Sequence, residues 1–174
     1  MELVTTPHTP CLQLLIAPYS LQREVSLKFI AELARIGPVR VLDGGNRFDL
    51  LGLNRELRRR DLELYRALER VQVARAFTCY QMTTLLELPA PGGIPTLVLN
   101  LLSTFQDENA SLAERLRLLE ICLYHLEKNA CHSPVLVILH PQSSEEPFLA
   151  RIRERVDRAW VFEPQPPAAQ LALL

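Results

Sequence analysis

The sequence predicts a three-layer α/β/α domain built on a parallel sheet of six strands, and three observations lead there. Short apolar runs such as Leu14-Leu15-Ile16, Thr96 to Leu102 and Val135 to Leu139 lack the period-two alternation of a half-exposed strand, so both faces of each must be covered. They alternate with segments whose apolar residues recur at helical spacing. Glycine and proline break the chain between these segments, as at Gly37-Pro38 and from Pro89 to Gly93.

A chain of 174 residues suits one such domain. At this size roughly 70% of the surface of the unfolded chain is buried on folding. Aromatic residues make up only 6%, so the core must be aliphatic. A net charge of −1 gives no general attraction to nucleic acid or to an anionic membrane. Four scattered cysteines with no secretory leader before them fit a reducing, cytoplasmic setting, and no apolar run approaches a membrane span of about eighteen residues.

Residues 1–11 carry Pro7 and Pro10 without periodicity and are expected to form an extended lead-in to a domain over 12–163. The first strand is Leu12 to Ile16, and the turn Ala17-Pro18-Tyr19-Ser20 leads into a helix with Val25, Phe29, Leu33 and Ile36 on its inner face. Ser20 is expected as N-cap, Glu24 as a first-turn anion that satisfies the positive helix end, and Gly37 as the C′ residue. Val39 to Asp43 reads as the second strand, ended by the turn Asp43-Gly44-Gly45-Asn46. One helix is predicted over Asp49 to Arg70, with Leu50, Leu53, Leu57, Leu62, Tyr65 and Leu68 inward. Its Arg58-Arg59-Arg60 run is surrounded by acids and reads as a solvated face.

Val71 to Arg75 is the third strand, Thr78 to Leu88 a helix, and Thr96 to Leu102 the fourth strand. Ser111 caps a helix reaching Asn129, with Leu112, Leu116, Leu119, Leu123 and Leu126 as its inner stripe. Val135 to Leu139, a helix over Pro147 to Arg158 and a strand over Ala159 to Phe162 complete the domain. Residues 164–174 form a proline-rich, then apolar tail that is either packed back on the domain or offered to a neighbour.

Val39 to Phe48 (VRVLDGGNRF), Val73 to Phe77 followed by Gln81, Thr96 to Phe105, Leu112-Ala113-Glu114-Arg115 and Val135 to Pro141 together give the chain its likeness. In order and spacing, over about residues 12 to 141, it resembles the ATPase core of RecA/RadA-type recombinases. The resemblance implies a strand order of 3-2-4-5-1-6, the terminal antiparallel strands of that family being lost.

The departures fall on the nucleotide-handling positions. The family's phosphate loop would place its conserved residues at Ala17, Gln22, Arg23 and Glu24, and none matches. Pro18 lacks an N–H, Gln22 puts a side chain where backbone should meet phosphate, Arg23 replaces lysine and Glu24 the Mg²⁺-binding hydroxyl. Gly45 stands at the position of the water-activating glutamate, Asn100 at that of the metal-binding aspartate, and Leu139-His140-Pro141 at that of the phosphate sensor. Phosphoryl transfer depends on positioning and electrostatics, so losing these groups together leaves no mechanism. The two loops that bind DNA in the family correspond to Gln106 to Asn109 and Gln142 to Glu146, which are short and acidic here and oppose phosphate binding.

Cys122, His125, Cys131 and His132 form a weak candidate zinc set, since two thiolates and two imidazoles suit a tetrahedron, although the adjacent Cys131 and His132 do not readily face one ion. His140, at a strand's carboxyl end with Ser103 and Thr104 expected to lie near it in space, is the best-placed polar group for other chemistry. The expectation is therefore a catalytically inactive recombinase-like core without cofactor, acting as an interaction or regulatory subunit in DNA recombination or repair. Its expected partner is a RecA-like relative or a second copy of itself. The alternatives are a DNA-binding recombination accessory and a nucleotide-binding protein without hydrolysis that uses Arg23.

Overall fold

A computed structural model describes residues 9–60, 63–88, 93–106, 110–141 and 146–162. The elements in chain order are β1 (Cys11–Ile16), α1 (Tyr19–Ile36), β2 (Val39–Asp43), α2 (Leu50–Arg59), α3 (Leu64–Glu69), β3 (Val71–Arg75), α4 (Cys79–Glu87), β4 (Thr96–Leu99), a 3-10 turn (Leu101–Phe105), α5 (Leu112–Ala130), β5 (Pro134–Leu139), α6 (Glu146–Arg155) and β6 (Arg158–Val161). All strand pairs are parallel, and the six strands lie in the order β3-β2-β4-β5-β1-β6, as expected. No helix among the described residues is long and apolar enough to cross a membrane.

Helices cover both faces of the sheet, giving two aliphatic cores. On one face α1, α2 and α3 bury Val25, Phe29, Leu33, Leu53, Leu57 and Ala67 against Leu15, Val41, Leu97 and Ile138. On the other, α4, α5 and α6 bury Met82, Leu119, Leu123 and Ile152 against Leu14, Val98 and Val137. The central strands are buried on both sides, which is why their sequences read as continuous apolar runs.

Several local expectations are corrected. Helix α1 starts at Tyr19, with Pro18 in the cap position and no side-chain cap, so Ser20 lies inside the first turn. Proline's fixed φ, here −59°, sets the chain for helix entry without a hydroxyl. Gly37 donates its N–H to the Leu33 carbonyl (2.9 Å) but is extended, not left-handed, and Ile36 is exposed. The segment after Asp49 is two helices, not one. Asp49 caps α2 by accepting from the Gly52 N–H (2.7 Å), and Leu50 and Tyr65 point to solvent while Leu53 and Leu57 are fully buried.

The strand expected to reach Leu102 ends at Leu99, because Asn100 adopts a left-handed conformation (φ 50°, ψ 47°) and turns Leu101 and Leu102 into the 3-10 segment. Helix α5 is capped by Ser111 as expected, the Glu114 N–H donating to its hydroxyl (3.2 Å), but Leu112 is exposed. Helix α6 ends at Arg155 and β6 spans Arg158–Val161, each earlier than the sequence indicates. The expectations for residues 1–8, Leu62, Pro89, Pro91, Gly92, Asp107 to Asn109, Gln142 to Glu145 and the tail 164–174 lie outside the described residues.

Candidate functional site

Strand order and helix placement define where a site can form. The connections from β1 and β2 run over one face and those from β3, β4 and β5 over the other, so chain direction diverges between β1 and β5 and between β2 and both its neighbours, β4 and the edge strand β3. Such divergence opens a crevice at the carboxyl ends of parallel strands, the usual ligand position in open α/β sheets. Ala17, Gly45, Asn100 and His140 all fall on this edge, two at each crevice.

At the β1/β5 crevice the Ala17 N–H donates to the Leu139 carbonyl (3.0 Å), carrying the strand pairing one residue past β1. Gln22 is buried and folds its amide back to donate to the Ala17 carbonyl (2.7 Å), closing the β1–α1 turn upon itself. The Tyr19 ring then stacks on His140, with centroids 3.9 Å apart and planes inclined by 19°. The Arg47 guanidinium lies 4.0 Å from the centre of the same tyrosine ring. Burial, and secondarily the Arg47 charge, pushes His140 below the usual histidine pKa of 6.5, which favours the neutral ring.

At the β2/β4 crevice Asp43 is the organising group. Its carboxylate is fully buried and accepts from the backbone N–H groups of Gly45 (3.2 Å), Arg47 (3.1 Å) and Phe48 (2.9 Å), with the Arg75 Nε at 3.8 Å. The Gly44-Gly45 turn is thereby drawn onto Asn100. A Cβ on Gly45 would sit 2.8 Å from Asn100 Nδ2, and one on Gly44 2.9 Å from the Asn100 carbonyl oxygen and from Thr104 Cγ2. Asn100 is buried, its N–H donates to the Ile138 carbonyl (2.8 Å), and its Oδ1 has no hydrogen-bond partner among the described residues.

This edge corrects parts of the sequence reading. Glu24 lies beyond the first turn of α1, exposed and paired with Lys28 at 2.6 Å, so it is not the anion that satisfies the helix end. Arg23 is exposed and directs its guanidinium to Asp49 (Nε to Oδ2 2.6 Å), whose carboxyl is held below its usual range first by the Gly52 N–H and then by Arg23. Thr104, placed near His140 as a nucleophile candidate, spends its hydroxyl on the Leu101 carbonyl (2.8 Å).

The candidate zinc set is not assembled. Cys122 is buried, its sulfur lies 3.3 Å from the Thr83 hydroxyl, and burial pushes its thiol up to about 12, so it stays protonated. His125 packs edge-on against Tyr124, while Cys131 and His132 face solvent. Among the described residues no three His, Cys, Asp or Glu side chains are grouped to hold a metal ion.

Sequence reasoning passed over Tyr19, Asp43 and Arg47. An acid directly before Gly-Gly is a recognisable signal for a side chain that binds its own turn, and it could have singled out Asp43. Nothing in the local sequence pairs Tyr19 with His140, which lie 121 positions apart and meet only through the β1–β5 pairing. The chain matches no protein-family model and no curated protein.

Proposed function

We propose that the chain is a catalytically inactive relative of the recombinase ATPase cores, acting as a non-enzymatic interaction or regulatory subunit. The observation that carries this reading is that the crevice where a core of this topology would receive nucleotide is filled by the chain's own side chains. Tyr19 lies on His140 at one divergence of the sheet, and Asn100 occupies the space beside Gly45 at the other. Support also comes from the β1–α1 turn. It lacks an N–H at Pro18 and ties the Gln22 amide to Ala17, where phosphate would need inward-turned backbone donors.

With those positions closed, surface is what remains for function. Leu51, Tyr65 and Phe77 are each more than three-fifths exposed and would supply apolar contact area. The partner this reading favours is a related core or a second copy of the chain, in a DNA recombination or repair setting by resemblance.

Sedimentation of the purified chain, alone and with proteins copurified from its native host, tests the subunit role, and a version ending at Gln165 tests the tail. A defined complex is expected. Monomers at high concentration with no copurifying protein would overturn the proposal.

A further inference from the structure

The α1–α2 face carries a polar groove of about 380 Å³ lined by four cations, Arg23, Lys28, Arg55 and Arg59, and two acids, Glu24 and Glu56. Most of this charge is already matched. Glu24 binds Lys28 (2.6 Å), Arg23 binds Asp49 (2.6 Å), and Glu56 accepts from Arg60 (3.1 Å). Among the described residues Arg55 has only a longer-range attraction to Asp49, and the exposed Arg58 and Arg59 make no hydrogen bond or ion pair.

Three like charges thus stand at i, i+3 and i+4 on one exposed face of α2, an arrangement that costs an isolated helix a few tenths of a kcal/mol per pair. Arg58 and Arg59 lie in the last turn and are compensated by the helix dipole, but Arg55 is not. One turn before Arg55 on the same face is Leu51, 70% exposed. The face therefore reads Leu51, Arg55, Arg58 and Arg59, one apolar residue followed by unmatched cations.

We propose that this exposed face of α2, bordering the α1–α2 groove, docks an acidic amphipathic helix of a partner protein, its carboxylates one turn apart on Arg55 and Arg59 and an apolar residue on Leu51. Arginines at i and i+4 rise about 6 Å along the axis, which matches glutamates at the same spacing on a partner helix. Phosphate-rich polymers fit less well, because the exposed Leu51 on the same face of α2 offers them no apolar contact to match.

Fluorescence anisotropy with the full chain tests it. The probes are a labelled alanine-based helical peptide with glutamates one turn apart and one leucine on the same face, a scrambled peptide of identical composition, and a labelled oligothymidylate. Saturable binding of the first peptide is expected, weakened about tenfold or more by scrambling and by the pair R55E/R59E. It is expected to be unchanged by R153E on the exposed face of α6. The milder pair R55Q/R59Q serves if charge reversal perturbs folding as judged by circular dichroism. Absence of saturable binding, equal affinity for the scrambled peptide, indifference to both arginine pairs, or tighter arginine-dependent binding of the oligothymidylate would overturn the proposal.

Discussion

Tyr19, the first residue of α1, lies flat on His140, the residue after β5, at a centroid distance of 3.9 Å. The contact joins the ends of two adjacent parallel strands at the point where their connections part to opposite faces of the sheet. Stacked rings contribute about 0.5–1.5 kcal/mol beyond their area burial. In a double-mutant cycle of Tyr19→Ala and His140→Ala, urea denaturation should give a coupling energy in that range. A value near zero would mean that the rings close the crevice without holding it.

His140 should also make stability depend on pH. Its folded pKa is depressed, so the unfolded chain binds the proton more readily. Stability is then fully present above the unfolded value of about 6.5 and falls as pH drops through it toward the folded pKa. Between about pH 7.5 and 5.5 the melting temperature should decline, and His140→Phe, which keeps an aromatic ring on Tyr19, should flatten that decline. An identical slope in the variant would assign the pH dependence elsewhere.

Gly45 and Asn100 should be coupled through shared space. A methyl on Gly45 meets the Asn100 amide at 2.8 Å, closer than side chains normally approach. Gly45→Ala is expected to cost about 1–3 kcal/mol, the range for overpacking. In an Asn100→Gly background, which removes the obstructing amide and suits the left-handed backbone at φ 50°, the same change should cost much less. Additive costs in the four-variant cycle would refute the steric account.

Asp49 holds the start of α2 through Gly52 and also anchors Arg23. Asp49→Ala should destabilise the domain by about 1 kcal/mol, the usual loss for a removed N-cap. Arg23→Ala should cost less, since a salt bridge with one side chain more than half exposed contributes little. Thermal melts of the two variants, read side by side, separate the cap from the ion pair.

The alternation of strands and helices was legible in the sequence because the buried runs are long and unalternated, as in Val135 to Leu139, whereas the sheet order was expected only from the resemblance. What was not legible depends on tertiary geometry. Asn100 tolerates a left-handed backbone, so the apolar run Thr96 to Leu102 changes from strand to 3-10 turn without a change in hydrophobicity. Tyr65 fits a helical stripe extended through residue 70, but α2 ends at Arg59, and the short α3 buries Ala67 while leaving Tyr65 83% exposed. Val71 to Arg75 reads as a strand like the others, yet its Val73 is 40% exposed because β3 lies at the sheet edge, and periodicity does not reveal which strand is outermost. At the site, His140 was placed by its position at a strand's carboxyl end, whereas Gly45 and Asn100 were singled out only through the resemblance, Asn100 from within a strand expected to reach Leu102. Their contacts, and the part played by Asp43, required the fold.

Calorimetric titration of the full chain with Mg-ATP most directly measures whether these crevices are closed to nucleotide. No saturable heat is expected, because Tyr19, Gln22 and Asn100 occupy or tie up the positions that a phosphate and its metal would need. Micromolar binding that is abolished by substitutions in the Ala17 to Glu24 turn would contradict the reading of an inactive core.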